Sequence, residues 1–179
     1  SHNFSNISPL IISRVLVSDS YVSFEFAMNY HGFFDQLPKT VSAVTTTRTK
    51  TFHFQGLDYR YAKAKPGIMM GFEEITIEGQ SGRVAELEKA LLDFLHFRRD
   101  SYTVDLLLEK LKEAKNEIDV SKLTDFSKAY PITLKRRLGF LLDFAGIDSR
   151  KLYQELKGTP GFAKLTKNIL IIDTYKPCF

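Results

Sequence analysis

The chain has 179 residues, 44% of them hydrophobic and 26% charged, with a formal net charge of +4; this balance excludes a disordered chain and suits one full domain or two small lobes sharing a core. The longest apolar run near the start, Leu10-Ile11-Ile12, is broken by Ser13 and Arg14, well short of the roughly 18 apolar residues a membrane span needs and unlike a secretory core. The single cysteine, Cys178, rules out an intramolecular disulfide and fits a reducing compartment.

The first half of the chain alternates in character. Pro9 to Val17 reads as a short helix: Pro9 suits a first-turn position after Ser8, and Leu10, Ile11 and Val15 share a face. A second helix is expected around Val22 to Tyr30, capped by Ser20 or Ser23 and ended by Gly32. Phe24, Ala27, Met28 and His31 fall on one stripe of it, a core pattern. From Val41 the pattern turns to strands. Val41 to Thr47 is β-branched and free of breakers, and Thr49 to Phe54 alternates, with Lys50, Phe52 and Phe54 on one face. Gly56 marks a turn, Asp58 to Lys65 alternates again, and Pro66-Gly67 breaks the run. Phe72 to Glu78 is a further strand, and Gly79 to Gly82 reads as a turn into the short strand Arg83-Val84-Ala85.

The second half reads as helical. Leu87, Ala90, Leu91, Phe94 and Leu95 form one apolar face from about Glu86 to Arg98, with Lys89 and Asp93 one turn apart on the outer side. Further helices are expected from Tyr102, from Ser121 to Ala129, after Pro131, and after Asp148 or Ser149, with Gly146 and Gly158 as stops. Ile169 to Ile172 looks like a last short strand. The fold class expected is α+β: a small antiparallel or mixed sheet of four to five strands with flanking helices over residues 4–98, then an all-helical lobe over 99–179 packed on it, with one continuous domain as the alternative.

Few residues suggest chemistry. The four histidines lack ligand spacing with one another or with Cys178, so no metal is expected, and Gly67 to Gly71 lacks the Lys-Ser/Thr of a phosphate loop. Glu86, Glu88 and Lys89, with Asp58, could imitate the acid and E-x-K set of a Mg²⁺-dependent nuclease. Against this, Glu88 and Lys89 sit inside the strongest amphipathic helix, where acids suit the N-terminal end and Lys89 can pair with Asp93. Charge is uneven: residues 1–97 hold 9 Lys/Arg against 10 Asp/Glu, and residues 98–179 hold 16 against 11. Two basic clusters are candidates for phosphate contact. Thr45-Thr46-Thr47-Arg48-Thr49-Lys50 offers hydroxyls and cations, so Arg48 and Lys50 are named. Lys135, Arg136 and Arg137 open a helix after a shorter helix and a Pro turn, resembling a helix-turn-helix layout.

Several blocks together resemble the AbiEi family of bacterial antitoxins. They are Tyr21-Val22-Ser23 with Tyr30-His31-Gly32, Val41 to Arg48, Tyr59-Arg60-Tyr61, and Ile75-Thr76-Ile77 followed by Arg83 through Glu88-Lys89-Ala90-Leu91-Leu92-Asp93. Lys135 to Leu142 extends the likeness. The resemblance implies a cytoplasmic, non-catalytic antitoxin of a type IV toxin–antitoxin pair in phage defence by abortive infection. It implies no cofactor, and a nucleotidyltransferase toxin as functional partner without a tight complex. It also implies that Tyr30, His31, Gly32, Glu88, Lys89 and Asp93 are structural, His31 bonding a backbone carbonyl and Glu88 anchoring a strand-to-helix corner. The family's usual plan begins with a promoter-binding winged helix; residues 3–20 are too few for one, so the resemblance points to the antitoxin region. The competing readings are a nucleic-acid-binding regulator and the Mg²⁺ nuclease.

Overall fold

The computed structural model describes residues 7–47, 50–159, 163–164 and 170–171. The chain divides into two compact units, Ser1–Asp93 and Phe94–Phe179.

In the first unit, Pro9–Leu16 forms α1, started as the sequence suggests: the Ser8 hydroxyl accepts from the Leu10 amide and Pro9 occupies the first turn. The expected second helix begins later than the sequence suggests, because Tyr21–Val22 is a strand, β1, and only Phe24–Tyr30 is helical (α2). A two-residue strand leaves no alternation to read; sheet neighbours on both sides hold it extended. The turn into α2 is sharp, with Phe24 at φ 58 and its ring buried. A bulky residue in the left-handed region is strained.

The remaining strands are β2 (Thr40–Thr45), β3 (Thr51–Phe54), β4 (Leu57–Lys63), β5 (Phe72–Ile77) and β6 (Gln80–Ala85), with a 3-10 turn at Pro66–Ile68. They form one mixed sheet of six strands, where the sequence suggested four to five, in the order β3-β4-β2-β1-β6-β5. β4 runs parallel to β2 and β1 parallel to β6; the other neighbours are antiparallel. Two-residue turns, Gln55-Gly56 and Glu78-Gly79, close the two hairpins with positive φ at both positions, the backbone that best matches strand twist. The second of these is tighter than expected, so Gln80, Ser81 and Gly82 belong to β6 and not to the turn.

Strand register sorts the core into two faces. Val22, Ala43, Tyr61 and Val84 are cross-strand partners on one face, and there the Tyr61 hydroxyl donates to the Ser13 carbonyl of α1 at 2.9 Å. α1 lies so close that a Cβ on Gly82 would sit 3.1 Å from the Leu10 backbone. Tyr21, Val44 and Ala62 share the opposite face. Val22, Val41, Ala43, Val44 and Val84 are fully enclosed, each buried aliphatic side chain worth about 1.5–3 kcal/mol.

α3 (Leu87–Phe97) contributes to both units. The second unit continues with α4 (Ser101–Glu113), α5 (Val120–Ser127), α6 (Ile132–Phe144) and α7 (Arg150–Gln154). Side-chain caps start two of them. Asp100 accepts from the Thr103 amide and Asp119 from the Ser121 and Lys122 amides. Gly146 follows α6 with φ 70, a C-terminal stop that an L side chain adopts with strain. This unit is not all-helical: Ala163–Lys164 (β7) and Leu170–Ile171 (β8) pair as an antiparallel ribbon. The expected strand Ile169 to Ile172 is described only at Leu170 and Ile171; its end residues lie outside the described ones. No helix among the described residues is long and apolar enough to cross a membrane.

Candidate functional site

Two of the blocks that carried the family likeness, Tyr21 to Ser23 and Arg83 to Asp93, meet at the junction of β1, β6 and α3. Every side chain from Glu88 to Leu95 is buried, so this helix has no outer side, and the outward placement expected for Lys89 and Asp93 is corrected. The 3.6-residue period placed them opposite the apolar stripe, but packing covers that face as well.

The Lys89 ammonium is fully enclosed, 2.5 Å from Asp93 Oδ1 and 2.6 Å from the Tyr21 hydroxyl. That hydroxyl in turn donates to Asp93 Oδ2 at 2.9 Å, and the Ser23 hydroxyl donates to the same oxygen at 2.8 Å. The Tyr21 ring stacks on Phe72 with centroids 5.0 Å apart, and Lys89 Nζ lies 4.9 Å from the Tyr21 ring centre. Burial and the Asp93 carboxylate drive the Tyr21 hydroxyl well above the usual phenol range, so it holds its proton. Burial pulls the Lys89 pKa down, and Asp93 works against that pull. An ammonium and a carboxylate so placed satisfy each other. Neither is open to a substrate, and the arrangement ties β1 to α3.

His31 follows α2, and its Nε2–H donates to the Ala85 carbonyl at 2.8 Å, fastening the end of α2 to the end of β6. Gly32, at φ 84, makes the turn away from the helix, and Tyr30 beside it is exposed with its ring edge-on to His31. Glu88 is buried in the first turn of α3, where a carboxylate is favoured by the helix dipole.

The threonine-rich cluster proposed for phosphate contact is arranged differently. The Thr45 and Thr46 hydroxyls donate to Asp19 at 2.5 Å each, and the Thr46 amide donates to it at 2.9 Å. Burial raises the Asp19 pKa, but these hydrogen bonds outweigh it and hold the carboxyl below its ordinary value. Two hydroxyls expected to face phosphate are thus spent on an internal anion. Lys50 is exposed and, with Asp19, Thr47 and Phe52, lines an open cleft of about 360 Å³. Arg48 lies outside the described residues.

The second basic cluster is a correction. Arg136 and Arg137 are buried: Arg136 donates to the Thr159 carbonyl and Arg137 to the Leu95 carbonyl, both at 2.8 Å. Burial, with repulsion from Arg99, lowers the Arg137 pKa to about 10. Guanidinium groups engaged inside the fold cannot reach phosphates; only Lys135 of this cluster is partly exposed. Among the described residues no three His, Cys, Asp or Glu side chains converge in a way that could hold a metal ion.

The sequence reading assigned no role to Tyr21 or Asp19, and gave Ser23 only as a candidate helix cap; its hydroxyl goes to Asp93 instead. A tyrosine and a serine flanking one residue just before a helix were the available signal for Tyr21 and Ser23. Compared with protein-family models and with curated proteins, the chain matches none.

Proposed function

We propose that this chain is the non-catalytic antitoxin or regulatory domain of a type IV toxin–antitoxin pair, opposing a nucleotidyltransferase toxin. The observation that carries this reading is the sealed network of Lys89, Asp93, Tyr21 and Ser23. Of the set that imitates a nuclease centre, Glu88 and Lys89 are buried and Lys89 is committed to Asp93, while Asp58 and Glu86 are only half-buried. A nuclease set needs carboxylates facing a hydrated ion in an open cleft. Further support comes from His31 on the Ala85 carbonyl, the structural role the AbiEi resemblance implies for that position.

The test is co-expression with a nucleotidyltransferase toxin of the type IV class. Growth arrest by the toxin is relieved by the chain, and Glu88→Gln retains most of that relief. The purified chain leaves plasmid DNA intact in Mg²⁺ or Mn²⁺, as in EDTA. Unrelieved arrest at good soluble expression overturns the antitoxin reading, and metal-dependent cleavage restores the nuclease.

A further inference from the structure

The second unit presents an aromatic and cationic surface that the basic clusters read from sequence did not include. Phe140 and Phe144, one turn apart on α6, stack with centroids 6.1 Å apart and planes 27° from parallel. Phe144 is 62% exposed, more than most large apolar side chains are on a settled surface. Lys112, exposed near the end of α4, places Nζ 5.6 Å from the Phe144 ring centre. Lys115, also exposed, brings Nζ to 3.3 Å from where a Cβ on Gly146 would stand, beside the C-terminal end of α6. One cation thus lies against the exposed Phe144 ring, and a second stands beside the end of the same helix, two residues on at Gly146.

Neighbouring acids are engaged elsewhere. Glu109 and Glu113 pair with Lys110, and Asp143 receives the Ser149 and Tyr153 hydroxyls. No ion pair ties Lys112 or Lys115 to a carboxylate of the described residues. An exposed ring with cations near it that are tied to no carboxylate is what stacks a nucleobase while neutralising adjacent phosphates.

We propose that Phe140, Phe144, Lys112 and Lys115 form a binding site for single-stranded nucleic acid, a base stacking on Phe144 and adjacent phosphates meeting the two lysines. The proposal does not rest on the antitoxin reading. It takes Phe144 as the contact that demands an unpaired base, since a duplex offers no free base face.

The test is fluorescence anisotropy of the full chain with labelled U12 and dT12 oligonucleotides and a 12-base-pair duplex, at 50 and 200 mM salt. Binding to either single strand is expected, weaker at the higher salt, and the tighter arm identifies the sugar preferred. Phe144→Ala lowers affinity about tenfold, Phe144→Leu lowers it similarly, and Phe144→Trp retains it. Lys112→Ala and Lys115→Ala each reduce the slope of log affinity against log salt by about 0.7. Circular dichroism of each variant checks the fold, and Phe144→Leu keeps apolar area while removing the ring. The proposal is overturned by no binding at 50 mM salt, by affinity equal in wild type and Phe144→Leu, or by duplex binding as tight as single-strand binding. Self-association abolished by Phe144→Ala, with no oligonucleotide bound, assigns the surface to a second copy and overturns it too.

Discussion

Lys89 and Asp93, one helical turn apart on α3, form an ion pair of 2.5 Å from which solvent is wholly excluded. Such a pair gains its attraction in a low-dielectric setting, but each charge alone would be badly placed there. The Tyr21 and Ser23 hydroxyls complete the shell of Asp93. Removing one partner is therefore worse than removing both. Asp93→Ala and Lys89→Met are each expected to lower stability by about 3–5 kcal/mol. The double variant Lys89→Met with Asp93→Leu should be at least as stable as either single one. Urea unfolding of the three proteins measures this, and strictly additive losses would contradict a coupled pair.

Asp19 gives the chain a pH dependence in the acid range. Its folded pKa lies below the ordinary 3.8, so as pH falls the unfolded chain takes up this proton first. The stabilisation is complete above the ordinary value and is lost as pH falls through the lowered one. Asp19→Ala should cost about 2 kcal/mol at pH 7, since charged acceptors make the stronger hydrogen bonds. The gap in Tm between wild type and this variant should narrow steadily below pH 4, by thermal melts followed at constant ionic strength. An unchanged gap at pH 2.5 would show that the Thr45 and Thr46 contacts do not depend on the charge.

The sequence made helix starts legible where a single side chain decides them: Ser8 before Pro9, and Pro131 before α6. It made β4 legible as a strand through the alternation from Asp58 to Lys65, but not that Tyr59 and Tyr61 on it are buried. It hid β1, whose two residues form a strand through tertiary pairing alone. It misplaced Lys89, Asp93, Arg136 and Arg137, since charge argues for the surface and only three-dimensional packing supplies the buried partners that overrule it. Arg137 finds a backbone carbonyl 42 positions away in sequence, a distance no local pattern encodes.

Arg137 accordingly behaves as a core residue. Arg137→Met removes the donor to the Leu95 carbonyl and is expected to lower stability by about 1.5–3 kcal/mol. Retention of the chain on single-stranded oligonucleotide should be unchanged per folded molecule. Unfolding by urea, read beside that binding, separates the two roles; weaker binding at undiminished stability would return Arg137 to the surface.

Gly139, in the middle of α6, is small because Tyr153 lies across it. A Cβ there would stand 2.9 Å from Tyr153 Cζ and 3.0 Å from its hydroxyl oxygen. That hydroxyl donates to Asp143 at 2.8 Å. Helix propensity favours alanine over glycine by about 1 kcal/mol, yet overpacking against a ring costs about 1–3 kcal/mol. Gly139→Ala should therefore give a net loss in Tm, and pairing it with Tyr153→Leu should recover part of that loss. A stabilising Gly139→Ala would mean that the ring moves aside freely.

The brevity of β1 makes spacing matter as much as identity. Tyr21 reaches Asp93 from one side of the sheet while Val22, its neighbour, packs among Ala43 and Val84 on the other. Adding or deleting one residue between Ser18 and Tyr21 would exchange these two positions, pointing the phenol into the aliphatic layer and leaving Asp93 without its hydroxyl donor. Variation in that connection is thus expected to be limited in length as well as in identity at Asp19.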